Sequence, residues 1–284
     1  MPPRAIPLTL LAMAAFAANS LLCRAALTRT ATDPATFTAL RLLSGAAATW
    51  AIARRGKGTG GSWPSALALF VYAAGFSFAY VALQAGLGAF LLFASVQATM
   101  ILAGLLRGER LGPAQWAGLA LALGGLFVLL APGRTAPPLA PALLMLAAGV
   151  AWGAYSLRGR EAGDPGRATA GNFLRAVPLA LALSLFLLPW SRVDAAGACY
   201  AVVSGALGSG LGYAVWYAAM RGLRTTTASA VQLSVPVLAA LAGVAVLGEP
   251  VTARLLGGSA AILGGLAVIL LKPLIRLPAP RGSA

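Results

Sequence analysis

Few residues in this chain have side chains that could act as acids, bases or ligands, and two of them, both glutamates, occur in the same sequence context. The 284 residues include only six Asp and Glu and no His. Glu109 and Glu249 each follow a glycine, 140 residues apart, between two long apolar runs. A carboxylate in apolar surroundings can relay protons. We favour a structural role, because a proline follows closely each time and an acid at a junction between helices stabilises unpaired amides and the positive end of the next helix dipole.

Two arginines, Arg41 and Arg175, interrupt apolar runs in matching contexts, FTALRLL and GNFLRAV. Each lies about six residues into a predicted helix, which is roughly 9 Å at 1.5 Å per residue. A charge at that depth is costly unless it faces a cavity, a partner or helix-end carbonyls. Such an Arg can bind a ligand carboxylate, lock a gate by pairing across the chain, or bind carbonyls at helix ends, which is the role we favour.

Polar and aromatic side chains within apolar runs are the candidates for binding a small molecule. Amides and hydroxyls recognise an ammonium or a carboxylate without a fixed charge, although they also bond one helix to another. Aromatic residues recur at steps of three and four, which places each group on one helix face. Such rings suit an aromatic or ammonium-bearing ligand, or form an interfacial belt near helix ends. The candidates are Asn19, Tyr80, Ser95, Gln97, Trp152, Tyr155, Tyr213, Trp216, Tyr217 and Gln232.

The composition argues against several classes of function. Without His, neither a His metal site nor a His general base is available, and Cys23 and Cys199 lie in or beside apolar stretches, so we expect no metal and no other cofactor. The positive residues behind the net charge of +15 punctuate apolar runs and form no basic face, which argues against nucleic acid as a partner. No phosphate-binding loop is present, so ATP is not expected. No deep acid, His, Cys or Ser cluster supports an intramembrane enzyme.

The elements that must position these residues are membrane-spanning helices. The chain is 60% hydrophobic and 10% charged, with a mean hydropathy of +0.85, values typical of a membrane protein. A helix crosses the bilayer with about 20 apolar residues, so the charge-poor windows predict an all-α, polytopic membrane protein with ten transmembrane helices. The uncharged run 65–106 is too long for one span and is predicted to break at 84–86. The predicted spans are 5–23, 35–53, 64–83, 87–106, 114–131, 139–157, 170–190, 196–219, 226–247 and 255–271.

Lys and Arg are distributed unevenly over the connections between these spans. Fourteen of the 21 lie on the side of the N-terminus, five lie on the other side, and Arg41 and Arg175 fall inside spans. By the positive-inside rule, both termini are predicted to be cytoplasmic in a bacterial inner membrane.

The chain also contains an internal repeat. A shift of 140 residues aligns 108–130 with 248–270 at ten identities in 23 positions, and a shift of 134 aligns Arg41 with Arg175. Two halves of five spans each, 1–134 and 135–284, are therefore predicted. Because five is odd, the second half enters the membrane from the opposite side, as in the inverted-topology repeats of many secondary transporters.

In these features the chain resembles the drug/metabolite transporter superfamily, and within it the ten-helix EamA-type exporters. The resemblance rests on the two Gly-Glu junctions, on Arg41 and Arg175, and on the run 212–249, in which Pro236 precedes Glu249 by thirteen residues. The first half departs from this pattern, with Val96 at the position equivalent to Pro236.

The resemblance implies alternating-access export of amino acids, most closely aromatic amino acids, and of related amphipathic metabolites through a central cavity. The implied partners are a small-molecule substrate and the lipid bilayer, and a monomer suffices. One alternative is a carrier of nucleotide sugars or phosphorylated compounds, with Arg41 and Arg175 as anion ligands. Others are a carrier of cationic drugs and a non-transport membrane protein such as a scramblase.

Overall fold

The computed structural model describes residues 5–53, 60–133, 136–160, 162–220, 231–271 and 275–276. Within these residues the chain forms ten helical spans, which we number α1 to α10. The first seven are α1 (Ala5–Arg29), α2 (Pro34–Ala53), α3 (Trp63–Tyr80), α4 (Ala85–Leu106), α5 (Pro113–Leu130), α6 (Leu139–Arg160) and α7 (Pro165–Phe186). Span α8 combines Ala195–Val203, the π-helical Ser204–Leu211 and Gly212–Met220. Span α9 combines Ser234–Ala242 and the π-helical Gly243–Leu247, and α10 is Ala253–Leu271.

In the described part of the chain, three short elements lie outside the spans. Residues Leu188–Trp190 form a 3₁₀ turn between α7 and α8. Two-residue strands, β1 (Glu109–Arg110) and β2 (Ile275–Arg276), pair antiparallel with Glu109 opposite Arg276. This pair joins the connection after α4 to the segment after α10.

The all-α fold class predicted from the sequence is confirmed. Seven of the described helices are long and apolar enough to cross a membrane, and α9 and α10 are shorter apolar helices. The break after α3 falls at 81–84, just before the predicted position, and α7 begins five residues earlier than predicted. The predicted start of the ninth span, at 226, lies outside the described residues.

The early start of α7 has a local cause that also sets the start of α2. Asp33 and Asp164 each precede a proline that is the first residue of the helix. Proline is favoured there because its fixed φ fits the helix and its missing N–H would be unpaired anyway. The Asp carboxylates accept backbone N–H groups of the first turn at 2.9 and 3.1 Å. The Asp-Pro step is a further trace of the repeat, at the second helix of each half.

Helices of the two halves pack against one another in matched sets. Helix α2 packs on α7 and α5 packs on α10, while α1 packs on α8 and α9 as α6 packs on α3 and α4. Each pairing maps onto itself or onto another pairing when the halves exchange, as a two-fold axis requires. This arrangement gathers α1, α3, α4, α6 and α8 around the centre of the bundle.

Helices α5 and α10 pack so closely that their backbones are in contact, and glycines occupy the contact points. A Cβ at Gly118 would lie 2.6 Å from the carbonyl oxygen of Gly265, and a Cβ at Gly125 would lie 2.6 Å from that of Gly258. The shift of 140 residues relates Gly118 to Gly258 and Gly125 to Gly265, so each glycine contacts the repeat partner of the other. Small residues let membrane helices gain close van der Waals contact where water does not drive them together.

We expect Gly265→Ala to destabilise the protein and the adjacent Gly264→Ala to leave its stability nearly unchanged. The new methyl at 265 would lie 2.3 Å from the Gly118 oxygen, whereas a methyl at 264 meets only Leu121 Cδ2, at 3.8 Å. Overpacking of this kind costs about 1–3 kcal/mol. Thermal unfolding in detergent measures the difference, and equal melting temperatures for the two variants would contradict the close packing of α5 on α10.

Candidate functional site

A narrow cavity lies at the centre of the bundle, away from the helix ends. Its volume open to water is ≈ 20 Å³, which is room for about one water molecule, so a larger ligand requires the walls to part. Across the described residues, no three His, Cys, Asp or Glu side chains gather as a metal site. The lining residues are Phe16, Asn19, Ser20, Tyr72, Phe76, Leu92, Phe93, Trp152 and Tyr213.

Trp152 is at the centre of an aromatic wall. Its ring centroid lies 4.9 Å from that of Tyr72 and 4.8 Å from that of Tyr213, and it stacks on Tyr155 at 5.4 Å. Phe16 meets Trp152 edge-on at 6.4 Å. Ring pairs at such distances contribute about 0.5–1.5 kcal/mol each beyond their buried area. The rings therefore hold one another in place and present an apolar surface to the cavity.

Arg41, from α2, lies directly behind this wall and is 1% exposed. Its Nη2 donates to the Tyr72 hydroxyl at 3.0 Å and its Nε donates to Ser209 Oγ at 3.2 Å. Its Cζ lies 4.8 Å from the centre of the Phe76 ring, in cation–π contact. Within the described part of the chain, Nη1 has no hydrogen-bond partner and no carboxylate pairs with the guanidinium. The charge is therefore balanced by hydroxyl dipoles and rings.

Asn19 connects the cavity to α8. Its Oδ1 accepts a hydrogen bond from Ser204 Oγ at 2.5 Å, and its Nδ2 donates to the Tyr72 hydroxyl at 3.5 Å. Ser204 and Ser209 lie five residues apart in the π-helical part of α8, and both face α1 and α2. A Cβ at Gly205 would lie 2.1 Å from a carbonyl oxygen of α2, so the glycine permits this approach. Segments of π-helix are frequent at functional sites.

Arg175, the repeat partner of Arg41, has different surroundings. Its Nη1 donates to the carbonyl oxygens of Gly60 at 2.8 Å and Gly171 at 2.9 Å. The carbonyl-bound role favoured from the sequence thus describes the contacts of Arg175. It is wrong for Arg41, because the hydrogen-bond partners of that guanidinium are side-chain hydroxyls. The two halves differ here, since the structure brings one arginine to the cavity wall and leaves the other bound to backbone.

The structure brings five of the ten candidate binding residues to the cavity or its wall. Tyr155 stacks on Trp152, and Trp216 meets Phe16 edge-on at 6.1 Å. These two rings support the wall from behind. The remaining three line the cavity directly: Asn19, Trp152 and Tyr213.

Three hydroxyl-bearing candidates lie away from the lining, against neighbouring backbone. The Tyr80 hydroxyl donates to the Ala85 carbonyl at 3.1 Å, and its ring meets the Phe76 ring edge-on. Ser95 Oγ donates to a carbonyl of α6 at 2.7 Å. The Tyr217 hydroxyl lies against Gly159, also in α6. In this conformation these groups connect helices and do not reach the cavity.

The two glutamine candidates lie on α4 and just before α9. Gln97 is buried one helical turn beyond Phe93, and its Nε2 has no hydrogen-bond partner among the described residues. Gln232 is half-buried just before α9 and is outside the lining.

Six lining residues are not among the candidates from the sequence. Tyr72 and Phe76 share a four-residue step with Tyr80, and their depth is the signal that identifies them, because they lie near the middle of α3 and Tyr80 ends it. The apolar members carry no such signal, since an apolar residue in a span reads alike whether it faces a cavity, a helix or lipid. The six are Phe16, Ser20, Tyr72, Phe76, Leu92 and Phe93.

Contacts between the halves close the cavity at the end of the bundle where α1 leads into α2, which we name the α1–α2 end. Glu249 accepts the backbone N–H of Ala85 at 2.8 and 3.1 Å and forms an ion pair with Arg24 at 3.2 Å. Arg24 also donates to the carbonyls of Tyr80 and Val81, both at 2.9 Å. The Glu249 carboxylate therefore caps the first turn of α4 and ties it to α1.

From the sequence, Glu249 is expected to stabilise the next helix, α10. This expectation is wrong about which helix is stabilised, because the Glu249 carboxylate contacts the start of α4, in the other half of the chain. Gly248 has a φ of +70°, in the left-handed region that favours glycine, so it ends α9 and turns Glu249 back toward α4. Gly108 has a φ of +88°, so the glycine of each Gly-Glu pair adopts the same conformation. The side chain of Glu109 lies outside the described residues.

Two aspartates fasten the same end. Asp33 accepts the backbone N–H of Arg192 at 2.9 Å, and Asp194 accepts that of Ala31 at 2.9 Å. Burial acts to raise the pKa of Asp33, but hydrogen bonds from Thr36 and other donors outweigh it and lower the pKa. The bond from Ala31 lowers the pKa of Asp194. Lowered values mean that these bonds are present at neutral pH and are lost only as the pH falls through the lowered pKa.

The opposite end, where α2 leads into α3, is also tied between the halves, and we name it the α2–α3 end. The Ser62 N–H donates to Asn172 Oδ1 at 2.8 Å, and Arg158 Nε donates to Ser65 Oγ at 3.0 Å. Arg175 adds its bond to the backbone before α3. With contacts at both ends and little space inside, the described conformation is occluded.

Comparison with known proteins shows what kind of protein has this fold. A family model for the EamA-like transporter family matches twice, at residues 3–131 and 139–271, one match over α1–α5 and one over α6–α10. An uncharacterized protein of Pseudomonas aeruginosa is 59% identical over 271 residues, which is 94% of each chain. A crystal structure of a protein with 26% sequence identity matches with a TM-score of 0.67, over 93% of this chain and 98% of that one. The chain therefore belongs to the EamA-like transporter family, whose members are multi-pass membrane transporters.

Proposed function

We propose that this transporter exports aromatic amino acids and related amphipathic metabolites across a bacterial inner membrane. The excess of Lys and Arg supports an orientation with the α2–α3 end in the cytoplasm and the α1–α2 end in the periplasm. The two halves, 1–134 and 135–284, open alternately to the two sides around the central cavity, and ATP takes no part.

The observation that carries this proposal is the position of Arg41 behind an aromatic wall. A buried charge that has dipoles and rings around it but no acid is costly, and inside a membrane such a charge is retained at functional sites. A substrate carboxylate supplies the missing counter-charge. The ring of the substrate then packs among the side chains of Phe16, Trp152 and Tyr213, so charge and rings together match an aromatic amino acid.

The alternative substrates fit this cavity less well. Arg41 repels cationic drugs, and no acid among the described side chains lies at the cavity to offset it. Nucleotide sugars and phosphorylated compounds carry at least one phosphate, which is bound by several donors or cations together. The described lining contains no cation and no helix N-terminus, and Arg41 behind it supplies a single positive charge.

Alternating access requires each end of the bundle to open in turn. At the α1–α2 end, the carboxylate of Glu249 joins α4 to α1 and to the turn after α9. Release of this contact frees the start of α4. About two turns further along the same helix, Leu92 and Phe93 line the cavity, so a movement of α4 changes the cavity wall. The Glu249–Arg24 pair is thus a latch that opens when substrate leaves toward the periplasm.

We expect purified protein in proteoliposomes to move labelled phenylalanine and tryptophan faster than protein-free liposomes, and Trp152→Leu to lower the rate about tenfold. Loss of ring contacts worth about 0.5–1.5 kcal/mol each accounts for a change of that size, since 1.4 kcal/mol is a factor of about ten. Trp116→Leu is the matched control, because Trp116 is exposed on α5, and its rate should equal that of the wild type.

The same assay distinguishes the alternatives. Flux of phenylalanine and tryptophan no greater than in protein-free liposomes overturns the proposed substrate. Uptake of UDP-glucose or tetraphenylphosphonium in their place supports a different carrier, and movement of labelled phospholipid between leaflets supports a scramblase.

We expect Glu249→Gln to open the α1–α2 end more often. Glutamine keeps one acceptor for the Ala85 N–H but loses the charge that pairs with Arg24. In a variant whose cysteines are replaced and whose Ser20 is changed to Cys, an impermeant thiol reagent added from the periplasmic side should label the cavity several-fold faster when Glu249→Gln is present.

The matched control is Asp164→Asn. Asp164 also caps a helix and pairs with an arginine, Arg167, at 2.7 Å, but within one half and at the α2–α3 end. Equal labelling rates for Glu249→Gln and Asp164→Asn would remove the assignment of Glu249 as a latch.

A further inference from the structure

We infer that the cavity recognises its substrate through the carboxylate alone, so that it accepts aromatic monocarboxylates with or without an α-amino group. This substrate class rests on the proposed function and names the substrate group that the cavity recognises. The inference is based on which hydrogen-bond donors and acceptors in the cavity wall have no partner within the protein.

The principal free donor is the hydroxyl of Tyr72, which lines the cavity. Its oxygen accepts hydrogen bonds from Arg41 Nη2 at 3.0 Å and from Asn19 Nδ2 at 3.5 Å, so its own hydrogen remains for a ligand. The guanidinium polarises this hydroxyl and makes it a stronger donor. Arg41 Nη1, which has no partner among the described residues, is a second donor directly behind the first.

One further donor belongs to the lining itself. Tyr213 Oη is buried without a hydrogen-bond partner in the described part of the chain. A phenol hydroxyl readily donates to an anion. Buried polar groups without partners are rare in folded proteins, so Tyr213 Oη and Arg41 Nη1 together indicate a ligand that supplies acceptors.

Charged acceptors for an ammonium are, by contrast, distant from the lining. The non-aromatic acceptors in the lining, Ser20 Oγ and Asn19 Oδ1, are neutral, and Asn19 Oδ1 already accepts one hydrogen bond from Ser204 Oγ at 2.5 Å. The acids whose side chains the structure describes all lie at the ends of the bundle, and they are Asp33, Asp164, Asp194 and Glu249. An α-ammonium in the cavity would meet only neutral acceptors and ring faces and would lie near the like charge of Arg41.

A carboxylate has two oxygens with about four acceptor sites, which suits this set of donors. The aromatic wall supplies the apolar contact. The smallest ligand that satisfies both the donors and the aromatic wall is an aryl-substituted monocarboxylate, and the amino group of phenylalanine finds no charged partner there.

The test measures how strongly two analogues inhibit phenylalanine counterflow in proteoliposomes of the full chain. One analogue, 3-phenylpropionate, keeps the carboxylate and lacks the amine, and the other, phenethylamine, keeps the amine and lacks the carboxylate. We expect 3-phenylpropionate to inhibit at least as well as unlabelled phenylalanine, and phenethylamine to inhibit at least tenfold more weakly. Because only phenylalanine flux is followed, leakage of the analogues does not affect the readout.

The outcomes separate this inference from the proposed function. If phenylalanine is transported and phenethylamine is the stronger inhibitor, carboxylate recognition is overturned and the proposed function stands. If phenylalanine is not transported but 3-phenylpropionate raises the melting temperature of the purified protein, the proposed function falls and carboxylate recognition stands. If phenylalanine is transported and neither analogue inhibits it, carboxylate recognition is overturned and the proposed function stands. If phenylalanine is not transported and 3-phenylpropionate leaves the melting temperature unchanged, both are overturned.

Two variants assign the recognition to the Arg41–Tyr72 pair. Arg41→Gln should abolish the preference for 3-phenylpropionate over phenethylamine. Because this variant removes a buried charge and can fail to fold, Tyr72→Phe is the second, since it keeps the ring and removes the donor. It should reduce the ratio of the two inhibition constants about tenfold, a change expected for one hydrogen bond to a charged group.

The matched control is Tyr200→Phe, on α8 outside the lining. A purely structural role for Tyr72 would weaken both analogues equally and leave the ratio of their inhibition constants unchanged. An unchanged ratio in Tyr72→Phe would therefore overturn the assignment to this pair.

Discussion

The arrangement of the bundle centre depends on one buried charge. Arg41 is held by side chains from three other spans, because α3 brings the hydroxyl and rings, α8 brings Ser209, and α1 brings the amide that steadies Tyr72. A guanidinium without an acid needs all of them. The close approach of α8 to α2 at Gly205 and the π-helical turn that directs two serines inward are local departures from a regular helix that serve this one group.

Around that centre, small residues determine how closely the helices of the two halves pack. The glycine crossings of α5 and α10 and the matched helix pairs fix how the halves meet, and no water-driven force is needed to hold them. The polar contacts that Glu249, Asp33 and Ser62 make between the halves lie at the bundle ends, where hydrogen bonds form and break in contact with water. The molecule thus separates a permanent interface, at α5 and α10, from closures that can be released, at Glu249 and Asp33.

Much of this fold could be predicted from the sequence, because spans of apolar residues, the two-fold repeat and the Asn19, Trp152 and Tyr213 positions all follow from local patterns. Other features required three dimensions. The partner of Glu249 is the start of a helix 164 residues away, which spacing cannot reveal. Repeat symmetry also suggested one role for Arg41 and Arg175, and the structure separates them because only one has rings and hydroxyls within reach.

The cap of α4 has a consequence for how the protein is made. Helix α4 enters the membrane before the ribosome has synthesised the carboxylate that accepts its Ala85 N–H, because Glu249 lies 164 residues later, in the last connection before α10. Until then its first turn must be served by water or lipid headgroups. The N-terminal half therefore lacks an acceptor for the Ala85 N–H until the C-terminal half has been made. If the two halves were encoded by separate genes, the first half alone would have an uncapped N-terminus at α4.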